Sequence, residues 1–203
     1  DEIEHAYYQR NIKQLQYIYE INKEGSNEQK LIAFSARGLY RRLTIEELNE
    51  IEFYLKGVQF WGFFELSILA NIGDKLDNSI INNIIDDLRY DKAYYENNLY
   101  YRVLIYRFFY KIIFKFIDSE KKEKAQEILM ISKQFFMPGD VMSHVIINFA
   151  ESFYCYYYTD KKQGKMQLQE TLKFLKKIGA EDFRKTLKLQ YDKRILRENR
   201  SEK

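Results

Sequence analysis

The chain is poor in the residues that break regular structure: 203 positions hold one proline and eight glycines. Sheet-rich folds need many tight turns, so this scarcity points to long helices joined by short loops. There is one cysteine, Cys155. It can form no internal disulfide, which fits a reducing, cytoplasmic setting. Histidines number two, His5 and His144, and neither has a second His, Cys or acidic residue at a metal-ligand spacing. No metal or other cofactor is expected. The most apolar run, Val103 to Ile117, is interrupted by Arg107, Lys111 and Lys115, which excludes a membrane span. The opening Asp-Glu-Ile-Glu is not that of a signal peptide.

Catalytic signatures are missing as well. No Gly-rich phosphate loop and no Gly-x-Ser-x-Gly elbow is present. Cys155 lies in the run Phe153-Tyr154-Cys155-Tyr156-Tyr157 with no base nearby in sequence, so an inert thiol is expected. Acidic pairs such as Asp86-Asp87 and Glu46-Glu47 fall on amphipathic stretches and read as solvated faces. Nothing here suggests an enzyme. Charge is nearly balanced, with 33 basic against 30 acidic side chains and a net +3. No strong nucleic-acid field follows. The basic segment Lys185 to Arg200 is diluted by Asp192 and Glu198 and reads as a solvated helix end.

What is abundant is apolar and aromatic: 46% hydrophobic residues, with 18 Tyr and 15 Phe. That is enough apolar surface to offset chain entropy. Ser26-Asn27-Glu28-Gln29 and Thr44-Ile45-Glu46-Glu47 have the capping-box form. Asp77, Asp118 and Asp140 are further N-cap candidates, Gly25, Gly57 and Gly179 are C-cap candidates, and Pro138-Gly139 marks the clearest loop. Between these signals the apolar spacing is helical, as in Ala125, Ile128, Leu129, Ser132 and Phe135.

The expected helices alternate in kind. Long aromatic ones (31–43, 60–76, 99–117, 141–158) are each followed by an amphipathic partner (44–55, 77–89, 120–136, 161–178). The junctions Thr44, Asp77, Asp118 and Thr159 lie 33, 41 and 41 residues apart. A helix pair recurring at about 34 to 45 residues marks a tetratricopeptide-like or HEAT-like array. We therefore expect one all-α domain over residues 1–203, a right-handed solenoid of degenerate pairs with about ten helices. A first helix, Ile3 to Asn22, and a last, Glu181 to Arg197, would stand without partners.

Each long helix carries one polar stripe. Arg37 and Arg41 stand seven and three residues before Thr44, and Asn71 and Asp74 six and three before Asp77. Arg107, Lys111 and Lys115 stand eleven, seven and three before Asp118, and Asn148 and Ser152 eleven and seven before Thr159. Steps of about four keep residues on one face. If these helices line the inside of the array, Arg37, Arg41, Asn71, Arg107, Lys111, Asn148 and Ser152 form a concave surface suited to a short peptide with a free carboxylate. The alternative is that each stripe is simply the wet side of its helix.

The segment Phe60-Trp61-Gly62-Phe63-Phe64-Glu65-Leu66 with Asn71 resembles the motif Trp-Gly-aromatic-aromatic-Glu-Leu followed by an Asn. That motif belongs to the Rgg (also GadR or MutR) transcriptional regulators of Gram-positive bacteria. The stretch Gln14 to Tyr19 and the helix expected from Thr44 to Leu55 fall where that family has its own, and the likeness covers essentially the whole chain. It implies a tetratricopeptide-like regulatory domain that binds a short peptide pheromone and homodimerises; we expect the helices after Gly179 to contribute to the interface. DNA would be bound only through an N-terminal helix-turn-helix domain, which this sequence does not contain. A scaffold that docks a partner protein without any small effector is the competing reading. An upstream frame encoding a helix-turn-helix would separate the two. Trp61 itself reads as a packing anchor between repeats.

Overall fold

A computed structural model describes residues 2–196. Helices begin where the caps are. Ser26 and Thr44 both complete their boxes, each hydroxyl accepting the amide three residues on while Gln29 or Glu47 turns back to the cap amide. Asp77 accepts from the Ser79 amide and Asp140 from the Ser143 amide. The helices are α1 (Glu2–Tyr8), α2 (Ile12–Asn22), α3 (Asn27–Tyr40), α4 (Ile45–Lys56), α5 (Phe63–Ile72) and α6 (Asn78–Tyr90). They continue as α7 (Lys92–Glu96), α8 (Leu99–Asp118), α9 (Lys122–Lys133), α10 (Val141–Tyr158), α11 (Lys161–Lys177) and α12 (Glu181–Tyr191). No strand occurs among the described residues.

The expected alternation of helix kinds has a structural counterpart. The long aromatic helices α3, α5, α8 and α10 pack side by side in one row, and α9 and α11 lie against that row from outside. The row holds most of the core. Phe108, Phe109, Phe149, Phe153 and Tyr106 are fully buried, as are Leu66, Leu69 and Ile72. The outer helices each commit one stripe, such as Ala125, Ile128, Leu129, Ser132 and Phe135. Full burial of an aliphatic or aromatic side chain stabilises by about 1.5–3 kcal/mol, so the row dominates the fold's stability.

Several expectations need correction. The single first helix is two. Arg10 adopts φ +57°, and the Asn11 amide reaches back to the Ala6 carbonyl at 2.8 Å, closing α1 before Asn11 caps α2. A left-handed turn at a non-glycine gives no compositional warning. Nor is the first helix unpartnered, because α2 packs extensively on α3, and α12 packs on α11. With the break at Arg10 and the short α7, the described residues hold twelve α-helices, in keeping with the all-α domain of about ten expected. Asp118 is not an N-cap: it ends α8, and its carboxylate takes Arg194 Nε at 2.9 Å and Nη2 at 2.5 Å. Of the glycines read as left-handed caps, only Gly179 (φ +76°) is one, while Gly57 stays right-handed and α8 is closed instead by Glu120 at φ +58°. The last helix ends in a π turn at Asp192–Leu196, and Arg197, Glu198 and Arg200 lie outside the described residues.

The family-like segment is mostly a helix-start device. Trp61 is buried and donates its indole N–H to Asp87 at 3.2 Å. Glu65 Oε2 accepts the Gly62 amide at 3.1 Å while its Oε1 accepts the Tyr54 hydroxyl at 2.6 Å. No helix among the described residues is long and apolar enough to cross a membrane.

Candidate functional site

A polar cluster lies on the floor of the inner row. Arg107 and Lys111 rise from α8, one turn apart, opposite Asn71 of α5 and Asp74 of the 3-10 turn that follows it. Arg107 is buried, and its Nη2 donates to Asn71 Oδ1 at 3.1 Å. Lys111 Nζ lies 3.8 Å from Asp74 Oδ1. Ala70, Tyr110 and Ile146 supply the apolar floor around them.

Helices α1 and α12 close over this floor. From α1, Glu4 Oε1 pairs with Arg107 Nη1 at 2.7 Å. Tyr8 lies under the Arg107 guanidinium and Tyr7 under the Lys111 ammonium, each 5.7 Å from cation to ring centre. From α12 come Phe183, Thr186 and Leu187. The two segments also touch each other: Tyr8 and Phe183 meet edge to face at 6.1 Å, and Arg10 Nη2 donates to the Lys185 carbonyl at 2.5 Å. The space left inside is about 30 Å³, room for a water or two.

Burial governs the charges here. It pushes the Lys111 ammonium down to about 8, against the attraction of Asp74. Burial works the other way on Asp74, yet Lys111 and Lys75 hold its carboxyl below the usual range. Burial raises the Tyr7, Tyr8 and Tyr110 hydroxyls, so all three remain neutral donors. The Tyr110 hydroxyl and Asp74 Oδ1 are buried without a hydrogen-bond partner. Such groups are costly unless something else satisfies them. The arrangement offers cations and an amide for a carboxylate, neutral hydroxyls, and aromatic walls.

The seven residues expected to share one surface do not all meet. Asn71, Arg107 and Lys111 do. Arg37 is held elsewhere, its Nη1 donating to Glu47 Oε1 and to the Tyr19 hydroxyl, both at 2.8 Å. It lines a separate recess of about 400 Å³ with Arg41, which is exposed at the end of α3. Asn148 lines a groove of about 450 Å³ between α10 and α11, with His144, Val145 and Phe174. Ser152 is buried and bonds back to the Asn148 carbonyl at 2.7 Å. The common register fails at α10, where Ile146 rather than Asn148 faces the floor. Two positions are a rotation of about 200°, set by how Phe149 and Phe153 pack rather than by counting back from Thr159. Lys115 also leaves the stripe, donating to the Leu76 carbonyl. Missing from the sequence reading were Glu4, Tyr7, Tyr8, Tyr110 and the α12 residues. Only the spacing of Glu4 from Tyr7 and Tyr8, which puts the three on one helix face, could have singled out any of them.

No curated protein matches the chain in sequence. Among solved structures, a proposed transcriptional regulator from Listeria monocytogenes EGD-e is 13% identical with a TM-score of 0.74, covering 98% of this chain and 72% of its own. The SHP pheromone receptor Rgg2 of Streptococcus dysgalactiae is 16% identical with a TM-score of 0.72, covering 95% and 73%. RopB is 16% identical with a TM-score of 0.63, covering 94% and 87%. At such identities these show a shared fold. The sequence itself matches the family described as "HTH-type transcriptional regulator Rgg, C-terminal domain" over residues 2–189, and the chain belongs to that family.

Proposed function

We propose that this domain is the sensor of a transcription factor and that it binds a short peptide in the groove floored by Asn71, Arg107 and Lys111. One observation carries the reading. Arg107 is buried, yet its guanidinium is presented to a carboxylate at 2.7 Å, the geometry a peptide carboxylate would take. The likeness in fold to a protein described as a pheromone receptor supports it. Homodimerisation belongs to the same proposal. Met166, Phe174, Ile178 and Leu189 stand exposed on or beside α11 and α12, an apolar set suited to a second copy. Control of transcription would run through a helix-turn-helix domain that lies outside this sequence.

The test uses synthetic octapeptides with free C-termini. Those retained by the wild-type chain are identified by mass spectrometry, then titrated by fluorescence anisotropy. Losing a charge-assisted contact costs about 1.5–3 kcal/mol, or roughly ten- to a hundredfold in affinity. Arg107→Met should show that loss while its circular dichroism stays helical. Lys122→Ala, exposed on α9, should bind normally. An Arg107→Met chain that is folded and binds like wild type removes the groove from consideration. Light scattering that shows only monomer at tens of micromolar removes the dimer.

A further inference from the structure

Helix α1 behaves less like a wall of the groove than like something placed in it. Its Glu4, Tyr7 and Tyr8 side chains each engage Arg107 or Lys111 of α8. Its apolar residues, Ile3 and Ala6, belong to a small cluster with Leu15, Ile18 and Ala36, separate from the main core of the inner row. Seven residues are too few for a helix to persist unaided, so the groove on one side and α2 and α3 on the other are what hold it in shape. It joins α2 through the left-handed Arg10, and its hold on α2 is confined to Ile3 and Ala6 in that small cluster and the Asn11 amide on the Ala6 carbonyl. With α1 in place only about 30 Å³ is free, too little for any peptide. Even so, the Tyr110 hydroxyl is left without a hydrogen-bond partner beneath it, so α1 fits the floor incompletely.

We infer that Glu2–Tyr8 is an internal occupant of the site: the groove takes a peptide carrying a carboxylate side chain and, one helical turn on, adjacent aromatic side chains, and such a peptide enters by displacing α1. This rests on the peptide-binding reading above and specifies both the ligand and its control. A tethered segment competes at an effective concentration in the millimolar range. An external peptide therefore sees its affinity reduced by the fraction of molecules in which α1 is out.

The probe is the chain's own segment in trans, a labelled, N-acetylated and C-amidated heptapeptide Glu-Ile-Glu-His-Ala-Tyr-Tyr. Blocking the ends leaves side-chain recognition alone. It is titrated by anisotropy against wild type, Glu4→Gln, Tyr8→Ala and Arg107→Met, each checked for its helical spectrum. Glu4→Gln is isosteric at a position that is one-third exposed, and it removes the charge that pins α1. Binding should be weak in wild type, up to about fivefold tighter in Glu4→Gln, tighter than wild type again for Tyr8→Ala, and lost in Arg107→Met. A probe with Gln in place of its second Glu should bind the Glu4→Gln chain up to about fivefold more weakly. Hydrogen exchange at the Ala6, Tyr7 and Tyr8 amides should quicken in Glu4→Gln while α8 is unchanged. Equal affinity for wild type and both α1 variants, or wild-type α1 amides exchanging as slowly as those of α8, overturns the inference. If octapeptides bind through Arg107 but the α1 variants bind them no better, the peptide site stands and the internal occupant falls. If no chain retains any peptide, both fall.

Discussion

Arg107→Met tests the floor of the groove as a piece of physical chemistry, apart from any ligand. The guanidinium has two polar partners. Asn71 is 2% exposed, and its Oδ1 has Arg107 Nη2 as donor. Removing that donor in a site with about 30 Å³ to spare leaves a buried amide oxygen unsatisfied, at about 1–3 kcal/mol. The Glu4 carboxylate is 34% exposed, so it can turn to water and its loss is worth no more than about 1 kcal/mol. Against these stands the relief of no longer burying a guanidinium, which apolar replacement often returns in part. A net loss of about 1–2 kcal/mol is expected. Asn71→Leu alone should cost a similar amount, because Glu4 and Tyr8 still hold the cation. With both replaced, donor and acceptor vanish together, and the double variant should recover about 1–2 kcal/mol relative to the sum of the two. Urea unfolding followed by circular dichroism gives all four corners of the cycle. Additivity within about 0.5 kcal/mol would show that Arg107 and Asn71 are not energetically paired, and the account of the floor would be wrong.

Other expectations follow from the same packing. Trp61→Ala should lose about 3–5 kcal/mol of stability, because the indole is buried and its N–H is committed to Asp87; a variant that melts normally but loses peptide would place the indole in the site instead. Gly164→Ala would set a Cβ 2.4 Å from the Tyr156 amide nitrogen and 2.7 Å from the Ser152 carbonyl, backbone atoms of α10 that cannot step aside. The expected cost lies at the upper end of about 1–3 kcal/mol, and a neutral melt would mean that α10 and α11 do not approach so closely. Lys111, lowered to about 8 by burial, leaves the unfolded chain binding more protons between that value and about 10.4. Its contribution to stability therefore improves as pH rises through that window, by up to about 3 kcal/mol. In urea titrations at pH 7 and pH 10, wild type should gain on Lys111→Met over that interval; identical pH dependence of the two chains would show that the ammonium is not desolvated.

The sequence by itself determined the features that depend on neighbours along the chain. The capping boxes at Ser26 and Thr44, the caps at Asp77 and Asp140, and the span of α10 follow from hydrogen bonds and periodicities within a few residues. The alternation of aromatic and amphipathic helices was legible for the same reason, since a helix buried on several sides must be apolar on several sides. The polar stripe on α8 could also be seen, because Arg107 and Lys111 stand out of an otherwise apolar run. Tertiary structure alone decided the rest. The break at Arg10 and the turn at Glu120 place non-glycine residues at positive φ, which no composition signals. Asp118 looks like a cap in sequence but binds Arg194, 76 residues away. The rotation that turns Ile146 rather than Asn148 to the floor comes from how ring against ring fills the space between α8 and α10. Above all, the meeting of Glu4 with Arg107 joins the first helix to the middle of the chain. Local rules constrain each helix. Which faces meet across the groove is chosen by packing summed over the whole row.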